Sequence, residues 1–211
     1  MLNIHEQIGQ IVKGEAPGPP PSFTALHIFM ALLVLGDRVN LGRKRFTEEL
    51  GLGEGAVRTI INRLKKHSLV KVDRSGCSLT EKGRKLYEDL RKSVGEFVEL
   101  DGDIPWNYRY SIGVKLKNMA RFLKMGLEER DAAIRAGADA AMIIIMRGGN
   151  LLMPGVSNLN EERPNFASMI MSSFKPSEDD VILIAGSNDR IKAFYGTLAA
   201  AYELLGKVTK Q

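Results

Sequence analysis

In the stretch EGAVRTIINRLKKHSLVKV, residues 54–72, Val57, Ile60, Ile61 and Leu64 fall at i, i+3, i+4 and i+7. That spacing is one face of a 3.6-residue period, so it predicts an amphipathic helix with a single buried stripe. The remaining positions hold Arg58, Thr59, Asn62, Arg63, Lys65 and Lys66, with no acid after Glu54. An ordinary surface helix mixes signs, because opposite charges at i,i+4 attract and like charges repel. A one-signed outer face suits a partner of opposite charge, the alternative being a basic face that is simply solvated.

The surrounding charge repeats this asymmetry. Residues 37–92 hold 15 Lys and Arg against 8 Asp and Glu, a net of +7, whereas residues 101–211 hold 14 against 13, a net of +1. A basic first half beside a near-neutral second half points to a polyanion as partner of the first half. No apolar run approaches the roughly 20 residues that span a bilayer, so no membrane role is expected. The start MLNIHEQIGQ has no basic region followed by an apolar core. Cys77 is the single cysteine, which excludes an intramolecular disulfide. These features predict a cytoplasmic protein.

Residues 2–12 have apolar positions on a helical period and predict a short amphipathic helix. GEAPGPPPS, residues 14–22, follows as a stiff extended connector, because consecutive prolines cannot continue a helix. Ser22 and Thr24 offer N-caps for an apolar core helix ending near Gly36. RKRFTEEL, residues 43–50, predicts a short helix stopped by Gly51. After the basic helix, Val70 and Val72 start a strand, Asp73 to Gly76 turn, and Cys77 to Leu79 return. Thr80 and Glu81 open another helix, read as continuing through Leu90 to Asp103, where DGDIP breaks it.

The order of helices, turn, basic helix and two-stranded ribbon resembles the winged helix-turn-helix family. FTEELGLGEGAVRTIINRLKKHSLVKVDRSGCSLTEKG carries the likeness, through Leu50, Gly51, Leu69-Val70 and Leu79-Thr80-Glu81-Lys82-Gly83. The resemblance implies that the basic helix lies in the DNA major groove. Gly55 and Ala56 would allow close approach to the bases. Arg58 has donors matched to guanine, and Asn62 has the donor and acceptor matched to adenine. Thr59, Arg63 and Lys66 would meet phosphates, with Arg43, Lys44 and Arg45 over the backbone and Arg74 and Ser75 at the wing tip. A winged helix used for protein contact is the alternative. RNA fits less well, because Phe46 is the only aromatic residue between Val34 and Leu86. GLGEGA, residues 51–56, mimics a dinucleotide fingerprint, but a helix rather than a strand precedes it.

The second half predicts a strand over residues 108–116, a helix over 127–136, and a strand over 140–146 with a glycine turn and short return. A helix follows over 166–174, then a strand over 181–185 and a closing helix over 189–205. The fold class expected for the chain is α+β: residues 1–22 form the helix and connector, and 23–103 a winged helix-turn-helix domain. Residues 104–211 form a small α+β domain with a mixed sheet, for dimerisation or ligand sensing. GLEERDAAIRAGADAAMIII, GGNLLMPG and DDVILIAGSNDRIKAFYGTLAAAYELL resemble archaeal winged-helix proteins whose C-terminal domain has no assigned function. That likeness implies a transcription regulator and supplies no ligand.

Arg130 and Arg135 can bind a carboxylate or phosphate, or form salt bridges with Glu128, Glu129 and Asp131. Ser187 and Asn188, at a strand-to-helix junction, can hold an anion or cap the helix with Asp189. A small anionic ligand is therefore a possible partner beside double-stranded DNA. His5, His27 and His67 lack metal-ligand spacing, and no P-loop or elbow-type serine motif is present. No catalytic residue, metal or cofactor is expected. The leading expectation is a homodimeric DNA-binding regulator, its contacts supplied by the helices at residues 2–12 and 80–100. Two alternatives are an enzyme acting on a small anionic metabolite with a winged-helix appendage, and a DNA or chromatin protein without sequence preference.

Overall fold

The computed structural model describes residues 4–13, 21–38 and 40–209. It divides into two units, Met1–Arg91 and Lys92–Gln211. Residues 14–20 of the proline-rich connector lie outside the described residues.

In the first unit α2 (Ala25–Asp37) is apolar on nearly every side and buries Ile28, Phe29, Leu32 and Leu35 completely. Its first turn is closed by His27, whose Nδ1 accepts the Thr24 amide at 3.0 Å. α1 (Ile4–Lys13) buries Ile8 and Ile11. α3 (Arg43–Leu50) ends at Gly51, which takes φ 62 and bonds back to the Glu48 carbonyl at 3.3 Å. A side chain at that φ would be strained, so glycine makes the tight turn into α4 (Glu54–Lys66). The stripe Val57, Ile60, Ile61 and Leu64 is buried as the periodicity required.

The wing is β1 (Val70–Asp73) and β2 (Gly76–Leu79), antiparallel with Val70 opposite Leu79. Leu41 and Cys77 exchange both backbone hydrogen bonds at 2.9 Å, tying the wing to the α2–α3 connection. This is a winged helix-turn-helix arrangement, and GLGEGA supplies its turn, Gly51 to Gly53, and the first residues of α4, with a helix rather than a strand before it. α5 (Glu81–Ser93) follows.

The helix expected to run on to Asp103 stops at Ser93. Residues from Val94 to Leu100 form a strand, β3, that pairs antiparallel with β4 (Tyr110–Leu116). Val94, Phe97 and Val98 are β-branched or aromatic, and sheet pairing satisfies their backbone instead of another helical turn.

The second unit adds α6 (Leu127–Arg135), β5 (Ala140–Arg147), β6 (Asn150–Met153) and β7 (Ser157–Asn158). α7 (Leu159–Glu162), α8 (Pro164–Phe174), β8 (Val181–Ser187) and α9 (Arg190–Gly206) complete it. The α+β class holds. The sheet, in order β3-β4-β8-β5-β6-β7, is antiparallel throughout rather than mixed. Its helix-separated strands β4 and β5 run the same way but never pair, because β8 enters between them from the opposite direction. Gly148 and Gly149 turn β5 into β6 with φ 58 and 76, the left-handed pair that a two-residue hairpin requires.

β8 is buried at every position, so it is covered on both faces. Ile182 and Ile184 join Met142, Ile144, Phe166, Ile170 and Phe174 in one core. On the other face α9 sits close, since a β-carbon on Gly196 would come within 2.5 Å of the Ala138 side chain. Thr197 Oγ1, buried there, donates to the Ile112 carbonyl at 2.6 Å.

Candidate nucleic-acid interface

Burying the stripe of α4 turns its other side outward. Gly55, Arg58, Thr59, Asn62, Lys65 and Lys66 are exposed, and Ala56 is half-buried. Arg58 and Asn62 make no side-chain hydrogen bond or ion pair to a described residue, so their donors remain available. Thr59 Oγ1 already donates to the Gly55 carbonyl at 3.0 Å. It must rotate before it can donate to a phosphate. Lys65 was not among the contacts assigned from sequence. It continues the exposed i, i+4, i+7 series from Arg58 and Asn62, which is the signal that would have included it.

Arg63 lies differently from its neighbours. Its guanidinium reaches back to α1, donating to the Ile11 carbonyl at 3.2 Å and to the Val12 carbonyl. It also stacks over the Phe23 ring, 5.0 Å from the centroid. The carbonyls at a helix C-terminus carry partial negative charge, so a cation there is favourable. Arg63 is therefore engaged within the unit, rather than free for a phosphate as its sequence position suggested.

Arg43, Lys44 and Arg45 are exposed on the first turn of α3. Cations oppose the helix dipole at that end, by about 0.3–1 kcal/mol each, and a polyanion would relieve the repulsion. Arg45 lies 3.9 Å from Glu49, which also holds Arg38 at 2.6 Å.

At the wing tip, Asp73 Oδ1 accepts the Ser75 amide at 2.8 Å and the Ser75 hydroxyl. The Ser75 hydroxyl holds the Asp73 carboxyl below its ordinary pKa, helped by the Ser75 amide. Asn40 donates to Ser75 Oγ, so the serine fixes the turn and Arg74 stands exposed at its apex. Cys77 is buried beneath, its thiol pushed up to about 11 by burial, and is neutral at physiological pH.

In the second unit, Arg130 and Arg135 line one open groove of about 620 Å³ with Asp131, Ile134 and Asp139. Arg130 pairs with Asp131 at 3.1 Å. Glu129 is fully buried and pairs with Lys207 at 2.6 Å. Ser187 is buried and donates to Asp139 Oδ2 at 2.6 Å. Asn188 is outside the groove lining and accepts the Arg109 amide at 3.1 Å. Asp189 caps α9, accepting from the Ile191 amide at 2.8 Å. The structure thus joins the two arginines in one groove, puts Ser187 behind Asp139 and leaves Asn188 apart. Among the described residues no three His, Cys, Asp or Glu side chains gather as metal ligands. No helix among them is long and apolar enough to cross a membrane.

No curated protein matches the chain. Among solved structures it is similar to a hypothetical protein, PH0730, from Pyrococcus horikoshii OT3. The identity is 26%, over 90% of this chain and 96% of that chain, with a TM-score of 0.70. A MarR/EmrR family transcriptional regulator from Acinetobacter sp. ADP1 aligns over 33% of this chain and 51% of that chain, at 23% identity and a TM-score of 0.30. Residues 27–85 are similar to the PH0730-like N-terminal domain family, and residues 108–204 to a domain of unknown function, DUF4443.

Proposed function

We propose that this chain is a cytoplasmic DNA-binding transcription regulator, with α4 as the helix that enters the major groove. The observation that carries this is the outer side of α4. It presents Arg58, Asn62, Lys65 and Lys66 with no acid after Glu54, next to an uncrowded Gly55. Arg58 and Asn62 read base edges, one bidentate contact each, while Arg43, Lys44, Lys66 and Arg74 neutralise phosphates. The second unit dimerises the protein, senses a small ligand, or does both, and carries no catalytic step. A homodimer fits the two half-sites that such helices commonly read.

The test is selection from a random duplex library at two salt concentrations, with Arg58→Ala/Asn62→Ala in parallel. The reading expects an enriched motif that the double variant no longer prefers, with weak non-specific binding retained. Four phosphate contacts per subunit, eight in the dimer, give a log–log salt slope of about −7. Steep salt dependence with no enriched motif replaces the regulator with a non-specific DNA-coating protein. No binding to duplex DNA by either protein removes the reading. Light scattering at DNA-saturating concentration tests the dimer, and a monomer mass removes it.

A further inference from the structure

The groove at the α6–β5 corner carries two arginines and two aspartates, so its local charge is balanced. Arg130 and Asp131 cancel one another in a surface pair. One cation and one anion remain. Arg135 is exposed, with no side-chain hydrogen bond or ion pair to a described residue. Asp139 is held in place from behind. Its Oδ2 accepts the Ser187 hydroxyl at 2.6 Å, and its amide donates to the Gly186 carbonyl at 2.9 Å. Ser187 is 1% exposed and its Oγ accepts the Asp189 amide at 3.1 Å. The second oxygen of Asp139 makes no hydrogen bond to a described residue. Ile134 adds a large apolar side chain that is 43% exposed, beside half-buried Ala140 and Ala141.

We propose that this groove binds a free α-amino acid with an apolar side chain. The ligand carboxylate meets Arg135, its ammonium meets Asp139, and its side chain lies across Ile134, Ala140 and Ala141. A dianion is disfavoured, since its second charge would face Asp139. The prior anchoring of Asp139 by Ser187 reduces the ordering that binding must supply. The proposal deepens the sensing role assigned to the second unit. Its test contains no DNA, so its failure leaves the DNA-binding reading standing.

The experiment follows the backbone amides of the full chain by two-dimensional NMR during titration with L-leucine, N-acetyl-L-leucine and L-leucinamide. The expected result is saturable shifts at Ile134, Ala140 and Ala141 with L-leucine in the micromolar to millimolar range. The acetylated compound lacks the ammonium and the amide lacks the carboxylate, so each should bind about tenfold or more weakly, the worth of one charge-assisted contact. Arg135→Gln should weaken L-leucine by a similar factor while leaving the rest of the spectrum in place. Absence of shifts with L-leucine, equal binding of either blocked compound, or an unaffected Arg135→Gln variant would each overturn the proposal.

Discussion

The α-carbon of Gly83 is packed against the backbone of Leu69, so that a β-carbon at Gly83 would stand 2.0 Å from the Leu69 carbonyl oxygen. That contact presses α5 onto the entry to the wing, where the Thr80 amide donates to the same carbonyl at 3.0 Å. Neither partner is a flexible side chain, so one backbone must move to admit a methyl group. Gly83→Ala is expected to destabilise the first unit by about 2–3 kcal/mol despite alanine's better helix propensity. Urea denaturation followed by circular dichroism checks this. A midpoint equal to wild type would mean that α5 shifts freely on the wing.

Gly55 presents the opposite case. It lies in the first turn of α4, where a β-carbon would meet no atom within 4 Å. Glycine in a helix costs up to about 1 kcal/mol relative to alanine, and nothing inside this unit requires that cost. Gly55→Ala should therefore leave the fold as stable or slightly more so, and weaken specific DNA binding by about tenfold by blocking close approach. Paired melting and fluorescence-anisotropy measurements separate the two effects. Unchanged DNA affinity would place the helix end away from the bases.

Much of this architecture was legible because it is locally encoded. The stripe on α4, the Gly51 stop, the turn at Gly148-Gly149 and the Asp189 cap each depend on residues within a few positions of one another. What was missed depends on distant partners. Leu86, Leu90 and Val94 keep the i, i+4 rhythm of α5 and are all buried, so periodicity alone carries the helix past Ser93. The chain turns to strand there because Val94 pairs with Leu116. The sheet's direction was hidden for the same reason, since it is β8, far along the sequence, that separates β4 from β5. In the candidate interface, the exposure of Arg58 and Asn62 followed from the helical period. The inward commitment of Arg63 did not, because its acceptors lie at Ile11 and Val12.

Arg63 should consequently behave as a packing residue. Arg63→Ala removes the donors to the C-terminal carbonyls of α1 and the stacking on Phe23, and should cost about 1–2 kcal/mol of stability. The log–log salt slope of DNA binding should stay at the wild-type value, because no phosphate contact is lost. Arg58→Ala should lose sequence preference with little effect on the melt. A salt slope shallower by about one unit per subunit for Arg63→Ala would return the residue to the phosphate backbone.

His27 gives the first unit a defined pH response. Its ring is partly buried at the start of α2, and burial lowers its pKa below the ordinary 6.5. Nδ1 accepts the Thr24 amide at 3.0 Å, which also requires that nitrogen to be unprotonated. The unfolded chain therefore takes up the proton before the folded one does. Stability from this residue is fully present above about pH 6.5, falls as the pH drops below that value, and levels off below the folded pKa. His27→Gln has no titrating ring, so its loss of stability between about pH 7.5 and pH 5.5 should be smaller than that of wild type. Urea midpoints for both proteins at the two pH values make the comparison, and the difference cancels the contributions of His5 and His67. Equal losses in the two proteins would show that His27 titrates alike in the folded and unfolded chains.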